Sequence, residues 1–166
     1  VTSELQNLKS TTVKLLKFIN KVKTNFVIIY SNNDPGTQII ISCYKKLLHK
    51  NRSKLLKSMR FENFLSLLKN AKFILGNSSS GIYEAPILGT PCFNIGTRQN
   101  KRIKTRAIKD LSINQINNSS ITNFLKNYKK IKYDNFGSGK TSKKFIKIIS
   151  NKNFWRISRQ KFFNEQ

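Results

Sequence analysis

The chain is short of nearly everything that builds a metal centre, a disulfide scaffold or a membrane span. It has two cysteines and one histidine, and only seven of its 166 residues are acidic. Cys43 falls in a helix-like stretch and Cys92 in a strand-like one, at a spacing that suits neither a metal site nor a disulfide framework. Both read as small buried thiols. His49 stands alone at the end of an expected helix, where a carboxyl-terminal dipole or solvent accounts for it, so it is read as incidental. No run approaches the roughly 18 uninterrupted apolar residues that cross a bilayer, and Val1-Thr2-Ser3-Glu4 lacks the charged-then-apolar design of a leader. The expectation is a soluble, cytoplasmic chain with no membrane partner. An initiator methionine is also missing, and Thr2-Ser3-Glu4 caps a helix with no strand before it, which points to a truncated chain.

What the sequence has in excess is positive charge, with a net +25 and a pI near 10.4. Such a balance ordinarily suggests nucleic acid or an anionic surface. The lysines, however, are sprinkled through nearly every segment beside Asn, Ile and Phe, residues whose codons are rich in A and T. A nucleic-acid binder concentrates charge on one stripe with aromatic platforms between, and only the tail Phe154-Trp155-Arg156 to Arg159-Gln160-Lys161-Phe162-Phe163 comes close. No specific nucleic-acid partner is expected.

Apolar periodicity divides the chain into alternating elements. Leu5, Leu8, Val13, Leu16, Ile19 and Val22 predict an amphipathic helix over about 3–23, behind a Thr2/Ser3 cap. Phe26-Val27-Ile28-Ile29-Tyr30 is a continuous β-rich run, as expected of a strand buried on both faces of a parallel sheet. Further helices are predicted near 37–50, 61–70, 112–129 and 141–150, with strands near 54–57, 72–75, 92–95 and 105–109. Pro86 keeps the segment ending about Gly89 short. Strands separated by single helices give a Rossmann-like, doubly wound, mostly parallel sheet. At this length one domain is the default, taken as 1–150, with 151–166 as a basic aromatic helix or tail.

Three loops, at 32–36, 76–81 and 96–102, each follow a predicted parallel strand and so share one edge of the sheet. That edge is where open α/β sheets bind ligands. In Gly76-Asn77-Ser78-Ser79-Ser80-Gly81 the glycines permit close backbone approach and the serines add hydroxyl donors, with the positive end of the following helix behind them. Glu84 lies about one turn beyond Ser80, where a carboxylate accepts both hydroxyls of a ribose. Arg98 and Arg102 are placed to neutralise a diphosphate. Ser-Ser-Ser is equally an ordinary helix cap, and a glutamate favours a helix amino terminus without any ligand. Gly139-Lys140-Thr141 imitates the end of a P-loop, but the glycine needed five positions earlier is Asp134, so an ATP site is rejected.

Read together, Asn32-Asn33-Asp34-Pro35-Gly36, Gly76-Asn77-Ser78-Ser79-Ser80-Gly81-Ile82-Tyr83-Glu84-Ala85-Pro86 and Asn94-Ile95-Gly96-Thr97-Arg98-Gln99 resemble the hydrolysing UDP-N-acetylglucosamine 2-epimerases over nearly everything from Val1 to about Ile149. The non-hydrolysing relatives carry Asp-Ser-Gly-Gly and Thr-Glu-Arg-Pro at the corresponding places. The resemblance implies the second of two Rossmann-like domains in a GT-B-like architecture. It places Asn32 near the nucleotide, Ser78, Ser79, Ser80 and Gly81 at the diphosphate and Glu84 at the ribose, with Arg98 and Arg102 assisting. It implies no metal and no cofactor, a UDP-sugar as ligand, an amino-terminal domain as partner, and a homo-oligomer when intact. Catalytic groups are expected outside this chain, in that other domain and in a His-Pro pair just before Val1. Lys101 departs from the family, which usually has glycine there, so the tight path of that loop is in question. A GT-B glycosyltransferase remains the alternative enzyme, and a basic, non-catalytic nucleic-acid-binding module the alternative of another class.

Overall fold

The computed structural model describes residues 2–31, 34–49, 51–130 and 137–156. It divides into two units, Val1–Tyr133 and Asp134–Gln166. In the first unit a 3-10 segment, Thr2–Asn7, leads into α1 (Leu8–Lys21), β1 (Phe26–Ile29), α2 (Thr37–Leu47), β2 (Ser53–Leu56), α3 (Phe61–Asn70) and β3 (Ile74–Gly76). A 3-10 turn at Ser79–Gly81 is followed by α4 (Glu84–Leu88), β4 (Cys92–Ile95), β5 (Ile108–Leu111) and α5 (Asn118–Asn127). Every pairing among the described strands is parallel: β1 with β2, β3 with β4 and β4 with β5. The chain is therefore α/β, with β1 to β2 crossing over through α2 and β3 to β4 through α4, while β4 joins β5 through a loop without a helix.

The hydrogen-bonded ladder runs as two sheets, β1-β2 and β3-β4-β5. Phe26 and Phe73 meet edge to face between them, with ring centroids 6.1 Å apart. The cores are joined in the same way. Leu16 and Ile19 of α1 pack on Cys43 of α2 with Phe26 and Ile28. Phe93, Ile95, Leu111 and Ile121 form a second cluster, and Phe18 of α1 touches both. All four residues of β4 are buried, as a strand hydrogen-bonded on both edges and covered on both faces must be. Phe93 is the centre of an aromatic row, edge-on to Phe73 and Phe124 at 5.4 and 5.2 Å. Contacts of this kind add about 0.5–1.5 kcal/mol each beyond area burial.

Several element boundaries differ from the periodicity reading. The first helix begins at Leu8 behind Asn7, which makes no side-chain cap bond, because residues 2–7 wind as a 3-10 segment instead. β1 is not buried on both faces: Ile28 turns into the α1/α2 core, whereas Val27 is 43% exposed. β5 starts at Ile108 rather than 105, since Thr105 Oγ1 accepts from Ala107 N at 3.0 Å and holds a turn there. α5 starts at Asn118 because Gln115 Oε1 binds the Ser112 amide and Asn117 Oδ1 caps Ser120 N, both at 2.8 Å.

The second unit holds α6 (Thr141–Ile149) and a 3-10 segment, Lys152–Arg156. Trp155 Nε1 donates to the Ile149 carbonyl at 2.6 Å, folding the segment back on the helix end. The cluster Arg159 to Phe163 lies outside the described residues. No helix among the described residues is long and apolar enough to cross a membrane.

Candidate functional site

The three glycine- and serine-bearing loops all leave the carboxyl ends of strands, and side chains tie them together. In the first loop, Asn32 and Asn33 lie outside the described residues. Its end is fixed by Thr37 N donating to the Asp34 carbonyl at 3.1 Å and by Gly36, whose φ of 89° turns the chain into α2. The third loop supplies both cross-links. Arg98 Nη2 reaches Asp34 Oδ2 at 3.6 Å in the first loop, and Gln99 Nε2 donates to the Asn77 carbonyl at 2.8 Å in the second.

In the serine loop, Ser78 Oγ accepts from Ser80 N at 3.3 Å. Gly81, Ile82 and Tyr83 N–H groups return to the Ser78 and Ser79 carbonyls. Ser78 and Ser79 are exposed and Ser80 half-buried, so this side of the turn is open, while Gly81 and Ile82 at its base are buried. The expected helix behind this loop is in fact one 3-10 turn, then α4 of five residues beginning only at Glu84. Its dipole is correspondingly small, and donors at the loop must come chiefly from hydroxyls and backbone N–H groups. Gly81 has a packing reason of its own. A Cβ there would stand 2.5 Å from Cys92 Sγ on β4, so glycine lets the turn settle onto the sheet.

Glu84 opens α4. Its Oε2 is buried and has no hydrogen-bond partner. A carboxylate oxygen out of contact with water and unpaired costs free energy that the fold alone does not recover. Asn94 on β4 donates to Asp110 Oδ1 at 2.7 Å, while its own Oδ1 and Gln99 Oε1 are likewise buried without partners. Three orphaned acceptors thus lie in α4, β4 and the third loop. Beneath the serine turn, burial and then the nearby Asp110 charge push the Cys92 thiol up to about 12, making it inert as a nucleophile. Among the described residues no group of three or more His, Cys, Asp and Glu side chains could hold a metal ion.

The third loop keeps a tight path despite its substitution. Lys101 has φ 64°, the one positive value among the described non-glycine residues. It occupies the left-handed conformation that a glycine adopts freely. Asn100 N to Thr97 O at 2.9 Å and Arg102 N to Gln99 O at 3.4 Å close the turns around it. Arg102 is exposed beside this turn.

A family model described as UDP-N-acetylglucosamine 2-epimerase matches residues 2–150. The chain belongs to the UDP-N-acetylglucosamine 2-epimerase family. The UDP-N-acetylglucosamine 2-epimerase of Neisseria meningitidis serogroup B is 36% identical over 169 residues, which cover 98% of this chain and 44% of that protein. The GDP/UDP-N,N'-diacetylbacillosamine 2-epimerase (hydrolyzing) of Campylobacter jejuni is 35% identical over 119 residues, 70% of this chain and 31% of that one. The chain thus spans less than half the length of these curated relatives. The crystal structure of the Methanocaldococcus jannaschii UDP-GlcNAc 2-epimerase in complex with UDP-GlcNAc and UDP matches with a TM-score of 0.57 at 21% identity, over 88% of this chain and 51% of that one. The fold is therefore that of one Rossmann-like half of this GT-B-like architecture.

Within that frame, the structure brings together the serine loop and Arg98 through the third loop's contacts, with Glu84 opening the helix that follows the serine turn. Neither the bond of Gln99 to Asn77 nor the pairing of Asp34 with Arg98 is marked in the sequence. A buried amide clasping a distant backbone carbonyl has no local signature; only the fold pairs residues 77 and 99.

Proposed function

We propose that this chain is the UDP-binding half of a hydrolysing UDP-N-acetylglucosamine 2-epimerase, serving UDP-N-acetylglucosamine or its diacetamido-6-deoxy relative in the making of nonulosonic or sialic acids. The observation that carries the reading is the buried, unpartnered oxygen of Glu84, which follows the serine loop and waits for donors. The two oxygens of a carboxylate can accept from the two vicinal hydroxyls of a ribose. Ser78, Ser79 and Ser80 take the diphosphate through hydroxyls and the amides at the start of the turn, Gly81 lets that turn pack closely although its own amide is held by the Ser78 carbonyl, and Arg98 and Arg102 balance the charge. Asn32 stands on the nucleotide side. The nucleotide-binding domain is taken as residues 1–150, the span that the family model matches from residue 2, with 151–166 as a basic aromatic tail, although the compact units divide after Tyr133.

In the intact enzyme the reaction starts by loss of the proton at sugar C2 to a base. The C1–O bond breaks, its electron pair leaving with UDP, and a C1–C2 double bond remains as a glycal. Water then adds, hydroxyl to C1 and proton to the opposite face of C2, giving free UDP and a C2-inverted sugar. The base and the sugar-positioning groups belong to the other domain and to the His-Pro pair expected before Val1, since Glu84 is committed to ribose and Asp34 is a single acid paired with Arg98. This half lowers the barrier by stabilising the charge that develops on the departing diphosphate.

The test is to mix the chain with UDP-N-acetylglucosamine and follow UDP and free N-acetylmannosamine, with a complete two-domain relative as positive control. The expected result is measurable UDP affinity without turnover. Robust turnover by this chain would show that catalytic groups have been misplaced, and no affinity for UDP would remove the reading.

A further inference from the structure

We propose that Gln99 is a positioning residue for the diphosphate loop, a clasp that sets the direction of the serine loop's first peptide group; the inference rests on the UDP-binding reading. Gln99 is a polar side chain in a surface loop, yet only 3% of it is exposed. Its Nε2 donates to the Asn77 carbonyl at 2.8 Å, across 22 positions of sequence. Because the peptide unit is planar and trans, holding that carbonyl also fixes the Ser78 N–H, which points the opposite way from Gln99. The residue just before Gln99, Arg98, pairs with Asp34. Two consecutive residues therefore register the third loop against both of the others. The left-handed turn at Lys101 follows immediately and is kept although lysine is strained in it.

A clasp retained for stability alone would be expected to satisfy its own polar atoms. Gln99 does not, for its Oε1 is buried with no partner. An apolar isostere at this position removes an unpaired acceptor, which favours folding, but also leaves the Asn77 carbonyl without its donor, which costs it, so the two effects on stability oppose each other. What such a replacement removes is the fixed orientation of the loop. Gln99→Met separates the two roles, and Gln99→Glu adds a titratable control. The carboxylate of that variant cannot donate to the Asn77 carbonyl, whereas the protonated acid can.

The experiment measures UDP and uridine affinity by titration calorimetry at a temperature well below unfolding, together with thermal stability and hydrogen exchange of the Gly81, Ile82 and Tyr83 amides. For Gln99→Met the expected result is UDP affinity about tenfold weaker and uridine affinity about unchanged, the equivalent of one net hydrogen bond acting at the phosphates. Binding stoichiometry holds, the melting temperature shifts by no more than a few degrees, and the three loop amides exchange about tenfold faster. Gln99→Glu behaves like Gln99→Met at neutral pH and recovers affinity, relative to the unmodified chain at the same pH, as the carboxyl takes up its proton. Unchanged UDP affinity and unchanged loop exchange in Gln99→Met would overturn the proposal, as would equal losses for UDP and uridine. If the unmodified chain binds no UDP, the nucleotide reading fails, and the exchange measurement by itself still decides whether Gln99 orders the loop.

Discussion

Glu84→Ala separates a ligand-binding carboxylate from a helix-capping one. In the folded chain one Glu84 oxygen is buried and unpaired. Removing it therefore relieves a desolvation penalty of about 1–3 kcal/mol while losing apolar stem contacts and an amino-terminal dipole term of about 0.3–1 kcal/mol. These oppose each other, and the melting temperature should move by no more than a few degrees, about 1 kcal/mol or less. Ribose binding has no such compensation. Charge-assisted hydrogen bonds to the two hydroxyls contribute about 1.5–3 kcal/mol, so the UDP dissociation constant should rise roughly 10- to 150-fold. Pyrophosphate, which lacks ribose, should bind the variant about as well as before, within the few tenths of a kcal/mol expected of a site it does not touch. Titration calorimetry with both ligands reads the difference. Equal loss for UDP and pyrophosphate, or a melting temperature that collapses while affinity holds, would refute the ribose assignment and return Glu84 to the role of a capping residue.

Gly81→Ala places a Cβ 2.5 Å from Cys92 Sγ; it should cost about 1–3 kcal/mol of stability by overpacking, and adding Cys92→Ala should restore much of it in denaturant titrations. Lys101→Gly relieves a left-handed strain of about 1–2 kcal/mol against about 0.5–1 kcal/mol of added unfolded-state entropy, so the chain should become slightly more stable, and a clear drop in melting temperature would deny the strain. The Cys92 pKa is raised from 9.0 to about 12 by burial first and Asp110 second. A raised pKa means the folded state holds the proton more tightly, so this contribution is complete below about pH 9 and is lost as pH climbs towards 12, up to about 4 kcal/mol. Burial raises Tyr44 as well, in the same direction. Urea unfolding at successive pH values should show the decline, with a shallower one in Cys92→Ala.

Much of this molecule is legible from local pattern because local pattern is what made it. Cys92-Phe93-Asn94-Ile95 reads as a buried strand and is one, with no exposed residue. The serine loop falls where the order of elements puts it, after β3 and before a short helix ending at Gly89, whose φ of 70° suits a helix end. Boundaries slip where a polar side chain competes with the backbone: Thr105 delays β5, and Gln115 with Asn117 delays α5. In the site, what escapes the sequence is every contact between loops. Arg98 with Asp34 and Gln99 with Asn77 join positions far apart in the chain, and Gly81 meets Cys92 only because the serine turn settles onto β4. Residue type alone marks Gly81 as a phosphate-approach glycine; only the packing shows that the sheet also requires it.

The most direct test of the central claim is to map UDP onto the isotopically labelled chain by amide chemical-shift perturbation. The account predicts saturable changes concentrated at Ser78 to Gly81, Glu84 and Gly96 to Arg102, the three segments at the carboxyl ends of β3 and β4, with none in the groove between α1 and α2 lined by Val13, Ile39 and Cys43. Changes confined to that groove, or spread over the lysines without saturating, would contradict it.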